Sequence, residues 1–257
     1  MAVTTPVKAK NIEVSFGANQ VLRDVSMVAE TGEAVAVVGA NGAGKTTLIK
    51  VLAGVLEPSA GGVTFGGDEL QKMKRRQIAR RVAVVPQGAP QVFSYHLLDF
   101  VLMGYHARTA RFSMPSTDQI DGARRALASL ELGDLEESPV SHLSGGELQR
   151  ALMARAMVAS VPLWLLDEPT ASLDMRHQVA LLEQVRCHVD GGGAAVAILH
   201  DLALIHRFFD RVLVLHEGVF LADGAPDEVL VPEIVSQIFA VPMQRGEVEG
   251  KVVWVVA

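Results

Sequence analysis

The stretch Gly39-Ala40-Asn41-Gly42-Ala43-Gly44-Lys45-Thr46-Thr47 sets an ammonium and two hydroxyls directly after three glycines. It fills every fixed position of the phosphate-binding pattern G-x-x-x-x-G-K-[ST]. Without a Cβ, Gly39, Gly42 and Gly44 let the backbone turn successive N–H groups inward around a polyphosphate. A helix opening near Lys45 adds its own unpaired N–H groups and the positive end of its dipole. Lys45 is then placed for the β- and γ-phosphates and Thr46 for Mg²⁺. The glycines fall as G-x-x-G-x-G, which argues against a dinucleotide fold.

Three further groups carry chemistry. Leu163-Trp164-Leu165-Leu166-Asp167-Glu168 is a short hydrophobic strand ending in two carboxylates, one suited to Mg²⁺ and the next to polarising a water. The run Ala194 to Leu199 is a second buried strand, and it ends at His200, within expected reach of a γ-phosphate. Leu143-Ser144-Gly145-Gly146-Glu147 repeats the grammar of the first loop, with a hydroxyl and two glycines before a helix expected over Glu147 to Ala159. That reads as a second anion site; an ordinary N-cap explains Ser144 but does not require the glycine pair.

The elements that position these groups follow from periodicity. Residues 12–16 and 21–28 alternate around turn-forming Gly17-Ala18-Asn19-Gln20, as a hairpin does. Phe16 ends its first strand, and on spacing alone it reads as a core or edge aromatic. Ala34 to Val38 and Val82 to Val85 are compact apolar runs expected as buried strands, the second ending at Pro86-Gln87. Residues 57–62 break the helix after the phosphate loop, before a short strand at 63–65. Lys72, Lys74, Arg75, Arg76, Arg80 and Arg81 read as a solvated helix face. From His96 to about Ser160 the periodicity is helical, as an insertion into an α/β core would be. Residues 212–215 and 219–222 suggest a closing hairpin, 227–240 a helix and 251–256 a last strand.

The totals exclude several classes. A net charge of −6 speaks against a nucleic-acid binder, which carries a basic face. No apolar run approaches the roughly 18 residues of a membrane span, and Met1 to Lys10 lacks the apolar core of a secretory signal. The single cysteine, Cys187, has no partner for a disulfide and reads as structural or inert, in keeping with a reducing cytoplasm.

Taken together, Gly39 to Thr46, Gln87, Leu143 to Glu147, Asp167-Glu168, Ser172-Leu173-Asp174 and His200 resemble, in order and spacing, the nucleotide-binding subunit of ATP-binding cassette transporters. The likeness covers nearly the whole chain. It implies an α/β fold: a P-loop NTPase core of mixed sheet flanked by helices, an antiparallel N-terminal part, and an inserted α-helical subdomain. Residues 1–87 and 161–257 would form the core, and 88–160 the helical part. It further implies that ATP is held by Gly39, Asn41, Gly42, Gly44, Lys45, Thr46 and Thr47, with Phe16 stacking on adenine. Ser144, Gly145 and Gly146 would contact the ATP of a second copy, and Asp174 would cross the interface of that head-to-tail homodimer. Thr46, Gln87 and Asp167 would serve Mg²⁺, with Glu168 as general base and His200 on the γ-phosphate. The expected partners are a transmembrane permease and, in the complete system, an external substrate-binding protein, with the chain peripheral on the cytoplasmic membrane face.

Val92-Phe93-Ser94-Tyr95, Asp99 to Tyr105, Asp223 to Leu230 and Ile238 to Val241 look like the ATPases of iron-siderophore, haem and vitamin B12 importers. Importers of molybdate, zinc or manganese share part of that wording. An exporter subunit and a soluble cassette ATPase acting on nucleic acid or ribosomes remain the alternatives. No long regulatory domain follows residue 257, which disfavours the sugar-importer type.

Overall fold

Alternation around Gly17 produces the expected hairpin. In the computed structural model, which describes residues 7–88, 95–110 and 113–257, β1 (Val7–Phe16) pairs antiparallel with β2 (Asn19–Ala29). β3 (Ala34–Val38) leads into the phosphate loop and α1 (Lys45–Leu52). β4 (Ala60–Phe65) pairs with β1, and the two-residue β5 (Asp68–Glu69) completes an antiparallel sheet ordered β2-β1-β4-β5. β4 begins at Ala60 rather than 63, its glycines lying opposite the register shift between Lys10 and Glu13.

The basic run forms only a 3-10 turn and the four-residue α2 (Arg75–Ile78). Its side chains do more than face solvent. Arg76 donates to the carbonyls of Ala107 (3.1 Å) and Thr109 (2.6 Å), and Arg80 to that of Ala107 (2.8 Å), tying α2 to the helical region. β6 (Val82–Val85) then carries Gln87 just past its end. Val92, Phe93 and Ser94 lie outside the described residues.

Helical periodicity between 95 and 158 yields α3 (Leu97–Leu102), α4 (Thr117–Ser129) and α5 (Gly145–Val158), joined by 3-10 turns. α5 starts two residues earlier than predicted, so Gly145 and Gly146 form its first turn. The core continues with β7 (Leu163–Asp167), α6 (Met175–Asp190), β8 (Ala194–Ile198), α7 (Leu202–Phe208), β9 (Arg211–His216) and β10 (Val219–Gly224). The helix expected over 227–240 is two, α8 (Pro226–Val229) and α9 (Pro232–Phe239). Pro232 has no N–H to donate and holds Val231 extended, at φ −106° and ψ 154°. β11 (Met243–Val248) pairs with β12 (Lys251–Val256). Cys187 is free and exposed on α6, which leaves the inert rather than the structural reading of it. Among the described residues no helix is long and apolar enough to cross a membrane.

The central sheet runs β10-β9-β3-β8-β7-β6, parallel except for β10 at the edge. Every residue of β3, β7 and β8 is buried, the mark of a sheet covered on both faces. Alternate side chains serve different cores. Val35 and Val37 join the antiparallel sheet and α1, whereas Ala34, Ala36 and Val38 join the core that contains α3 to α7. Because the strands are parallel, their carboxyl ends open on one edge, where ligands of such sheets bind.

Candidate nucleotide site

Gly39 follows β3 where the chain must pass against the end of β9. Its φ is +158°, and a Cβ there would be driven into the Leu215 carbonyl, inside the 3.0 Å that real Cβ atoms essentially never breach. Gly44 caps α1 at φ +103°, and a Cβ would meet Leu22 Cδ2 at 2.8 Å and the Val21 carbonyl at 3.0 Å. Only glycine fits either place, so the loop's shape is fixed by the surrounding strands.

The loop encloses its own lysine. Lys45 Nζ donates to the carbonyls of Gly39 (2.8 Å) and Ala40 (2.9 Å), and the residue is only 6% exposed. Burial pulls its ammonium below the ordinary value of 10.5, against the opposing pull of the Glu168 and Asp167 carboxylates. Thr46 Oγ1 donates to Asp167 Oδ1 at 3.2 Å. Burial also raises the Asp167 carboxyl above its ordinary 3.8, the Thr46 hydrogen bond working in the other direction. A hydroxyl and a carboxylate of hard oxygen character thus meet beside the lysine, as a divalent cation shared with phosphate requires.

Glu168 stands one residue past the strand with φ +51°, a left-handed conformation uncommon for a residue with a long side chain. Its two oxygens are held from opposite sides. Gln87 Nε2 donates to Oε2 at 2.7 Å, and His200 Nε2 lies 2.9 Å from Oε1. The ends of β6, β7 and β8 therefore converge on one carboxylate.

These residues line one cleft of about 610 Å³, with Val21, Asn41, Gly42, Gly44, Lys45, Thr46, Thr47, Gln87, Glu168 and His200 on its walls. Gly39 and Asp167 sit just behind, through the bonds to Lys45 and Thr46. Val21 was not singled out in the sequence; its signal is its place directly after the Gly17 turn, where the hairpin end meets the loop. Phe16 is 54% exposed at that same hairpin end and is not part of the wall.

Ser144, Gly145, Gly146 and Asp174 are absent from the cleft too. Ser144 caps α5 in a reciprocal box, accepting from the Glu147 N–H (3.3 Å) while Glu147 accepts from the Ser144 N–H (2.8 Å) and hydroxyl (2.7 Å). Those bonds hold the Glu147 carboxyl below its ordinary 4.5. Within the chain the close approach is at Gly146, where a Cβ would lie 3.0 Å from the Ser172 carbonyl, whereas at Gly145 one would meet the Ser172 Cβ at an ordinary 4.0 Å. Asp174 caps α6 through the His177 N–H at 3.0 Å.

A family model described as ABC transporter matches residues 22–171. The chain belongs to the ABC transporter family. The hemin import ATP-binding protein of Rhodopseudomonas palustris is 36% identical over 252 residues, covering 94% of this chain and 93% of that protein. The cobalamin import ATP-binding protein of Halobacterium salinarum is 39% identical over 229 residues, 89% of this chain but 57% of that one, so this chain spans little more than half its length. A solved structure of a metal-chelate type ABC transporter in an inward-facing conformation superposes with a TM-score of 0.82 at 26% identity, covering 98% of each chain. As an ABC cassette the chain binds nucleotide, and the cleft at the carboxyl ends of β3, β6, β7 and β8 is the place the geometry offers.

Proposed function

We propose that this chain is the ATP-hydrolysing subunit of an importer for a metal chelate or cofactor of the haem or cobalamin kind. Two copies would sandwich two ATP molecules head to tail and drive a transmembrane permease, served by an external substrate-binding protein, from the cytoplasmic membrane face. The observation that carries the catalytic half is the Glu168 carboxylate, fixed between Gln87 and His200 at the mouth of the phosphate loop. The cargo class rests on the names of the relatives.

In this reading the loop from Gly39 to Thr47, with Asn41, binds the phosphates through backbone N–H groups and Lys45, while Phe16 offers a ring to adenine. Thr46, Asp167 and Gln87 would hold Mg²⁺, which would supply charge neutralisation to the phosphates. Glu168 accepts the proton of the attacking water, and its hydrogen bonds to Gln87 and His200 keep the acceptor oxygen aimed. His200 also reaches the γ-phosphate. Ser144, Gly145 and Gly146 complete the site of the second copy, with Asp174 crossing between them, and residues 88–160 make up the helical subdomain that carries them. Closing and reopening of the pair would be passed to the permease beside Gln87.

Glu168→Gln tests this directly. It keeps the shape of the side chain and one accepting oxygen but removes the base, so turnover falls by about 10²- to 10⁴-fold while ATP still binds and traps a dimer visible by size exclusion. Hydrolysis at the native rate would remove Glu168 from the role.

A further inference from the structure

The end of α4 places a glutamate where a glycine is the easier choice. Glu131 has φ +55°, just beyond the last turn of the helix, the position that glycine fills most readily. A carboxylate kept there at a backbone cost points to work for the side chain.

The contacts of Glu131 run in two directions. Its carbonyl (3.3 Å) and that of Leu130 (2.7 Å) accept from Nη1 of Arg150, a residue of α5 that is 8% exposed. Its carboxylate accepts from Arg176 Nη2 at 2.6 Å and lies 3.6 Å from His177 Nε2, both on the first turn of α6. His177 Nδ1 is in turn 2.9 Å from Asp174 Oδ1. Beside this chain of polar contacts, the first turn of α5 presses on the Ser172 carbonyl at Gly146. Two separate contacts therefore join α5 to the segment 172–177, one by close packing and one by charge through Glu131.

We propose that Glu131 and Arg176 are positioning residues that hold the start of α5 and the Asp174 segment as one body, so that Ser144 and Asp174 reach a second copy together. This rests on the head-to-tail pairing proposed above. The ion pair is too exposed to matter much for stability, with Arg176 75% and Glu131 43% exposed at the side chain. Its use is geometric: to the packing of Ser172 and Leu173 against Gly146 it adds a second point of attachment that sets the angle between the two elements.

Glu131→Gly separates the two roles, because it removes the carboxylate and relieves the backbone at once. In a Glu168→Gln parent, the expected result is an unchanged or raised thermal midpoint, unchanged ATP affinity of the monomer at high dilution, and ATP-driven dimerisation weakened about fivefold or more. In the native background kcat falls by a similar factor. Arg176→Ala gives the same pattern without touching the backbone, and the exchange Glu131→Arg with Arg176→Glu recovers most of the loss. Dimerisation of Glu131→Gly and Arg176→Ala equal to that of the parent overturns the inference alone. A Glu168→Gln parent that stays monomeric in ATP overturns the pairing and this inference with it.

Discussion

A methyl group at position 39 has nowhere to go. It would be built into the carbonyl of Leu215, a fully buried residue of β9 held by β10 at Phe220 and adjoining Val214, where the pairing with β3 ends, so neither partner can retreat cheaply. Overpacking a core of this kind costs roughly 1–3 kcal/mol, and the positive φ at a non-glycine residue adds roughly another 1–3. For a chain of this size about 1 kcal/mol moves the thermal midpoint roughly 2–4 °C, so Gly39→Ala should lower it by roughly 4–24 °C. Gly42 provides the control: its φ is +81°, but a Cβ there meets nothing within 4 Å. Gly42→Ala should therefore lose only about 1 kcal/mol, a few degrees. Gly44→Ala falls between, because its Cβ meets the end of the buried Leu22 side chain at 2.8 Å and the Val21 carbonyl only at 3.0 Å. Scanning calorimetry of the three variants without nucleotide gives the order Gly39, Gly44, Gly42 in decreasing damage. Equal midpoints would refute the reasoning, leaving these glycines to serve ligand approach alone.

Two other outcomes follow from the charges. Burial raises the Asp167 carboxyl, so its ionised form opposes folding above that raised value and the opposition fades as pH falls through it. Asp167→Asn should raise the thermal midpoint at pH 7, with the gain shrinking towards pH 4, while Mg²⁺ affinity in the presence of ATP drops by roughly 10- to 100-fold. Glu147 behaves oppositely: its depressed carboxyl contributes stability above about pH 4.5 that is lost on further acidification. The difference in midpoint between native protein and Glu147→Ala should be constant near neutrality and close below that pH.

The buried strands were legible because burial on both faces demands unbroken apolar runs, as in Ala34–Val38 and Ala194–Ile198. β11 was not, since Met243-Gln-Arg-Gly-Glu-Val is almost wholly exposed and shows no hydrophobic period. The helix break at Pro232 was readable from proline alone but was masked by the strong amphipathicity of the segment that begins there. Within the site, the motifs gave the identity of the residues, and the strand ends gave their convergence. The spacing did not reveal that Gly146 answers to Ser172 or that Arg150 holds the Glu131 turn, because those contacts join segments about 20 or more residues apart with no shared period. Phe16 remains outside the cleft wall in this structure, its adenine role carried by resemblance only.

Ala36 and Val37 are joined by one peptide bond, yet each belongs to a different side of the central sheet. Defects at the two positions should therefore combine almost additively, although neighbours in contact ordinarily couple. A second-site change that rescues Val37 belongs among residues such as Leu48 and Ile49, and one that rescues Ala36 among residues such as Leu181 and Ala197. In genetic terms the sheet is a partition: the hairpin side and the helical side of this cassette can accumulate substitutions separately, provided the strand ends that carry the site stay in register.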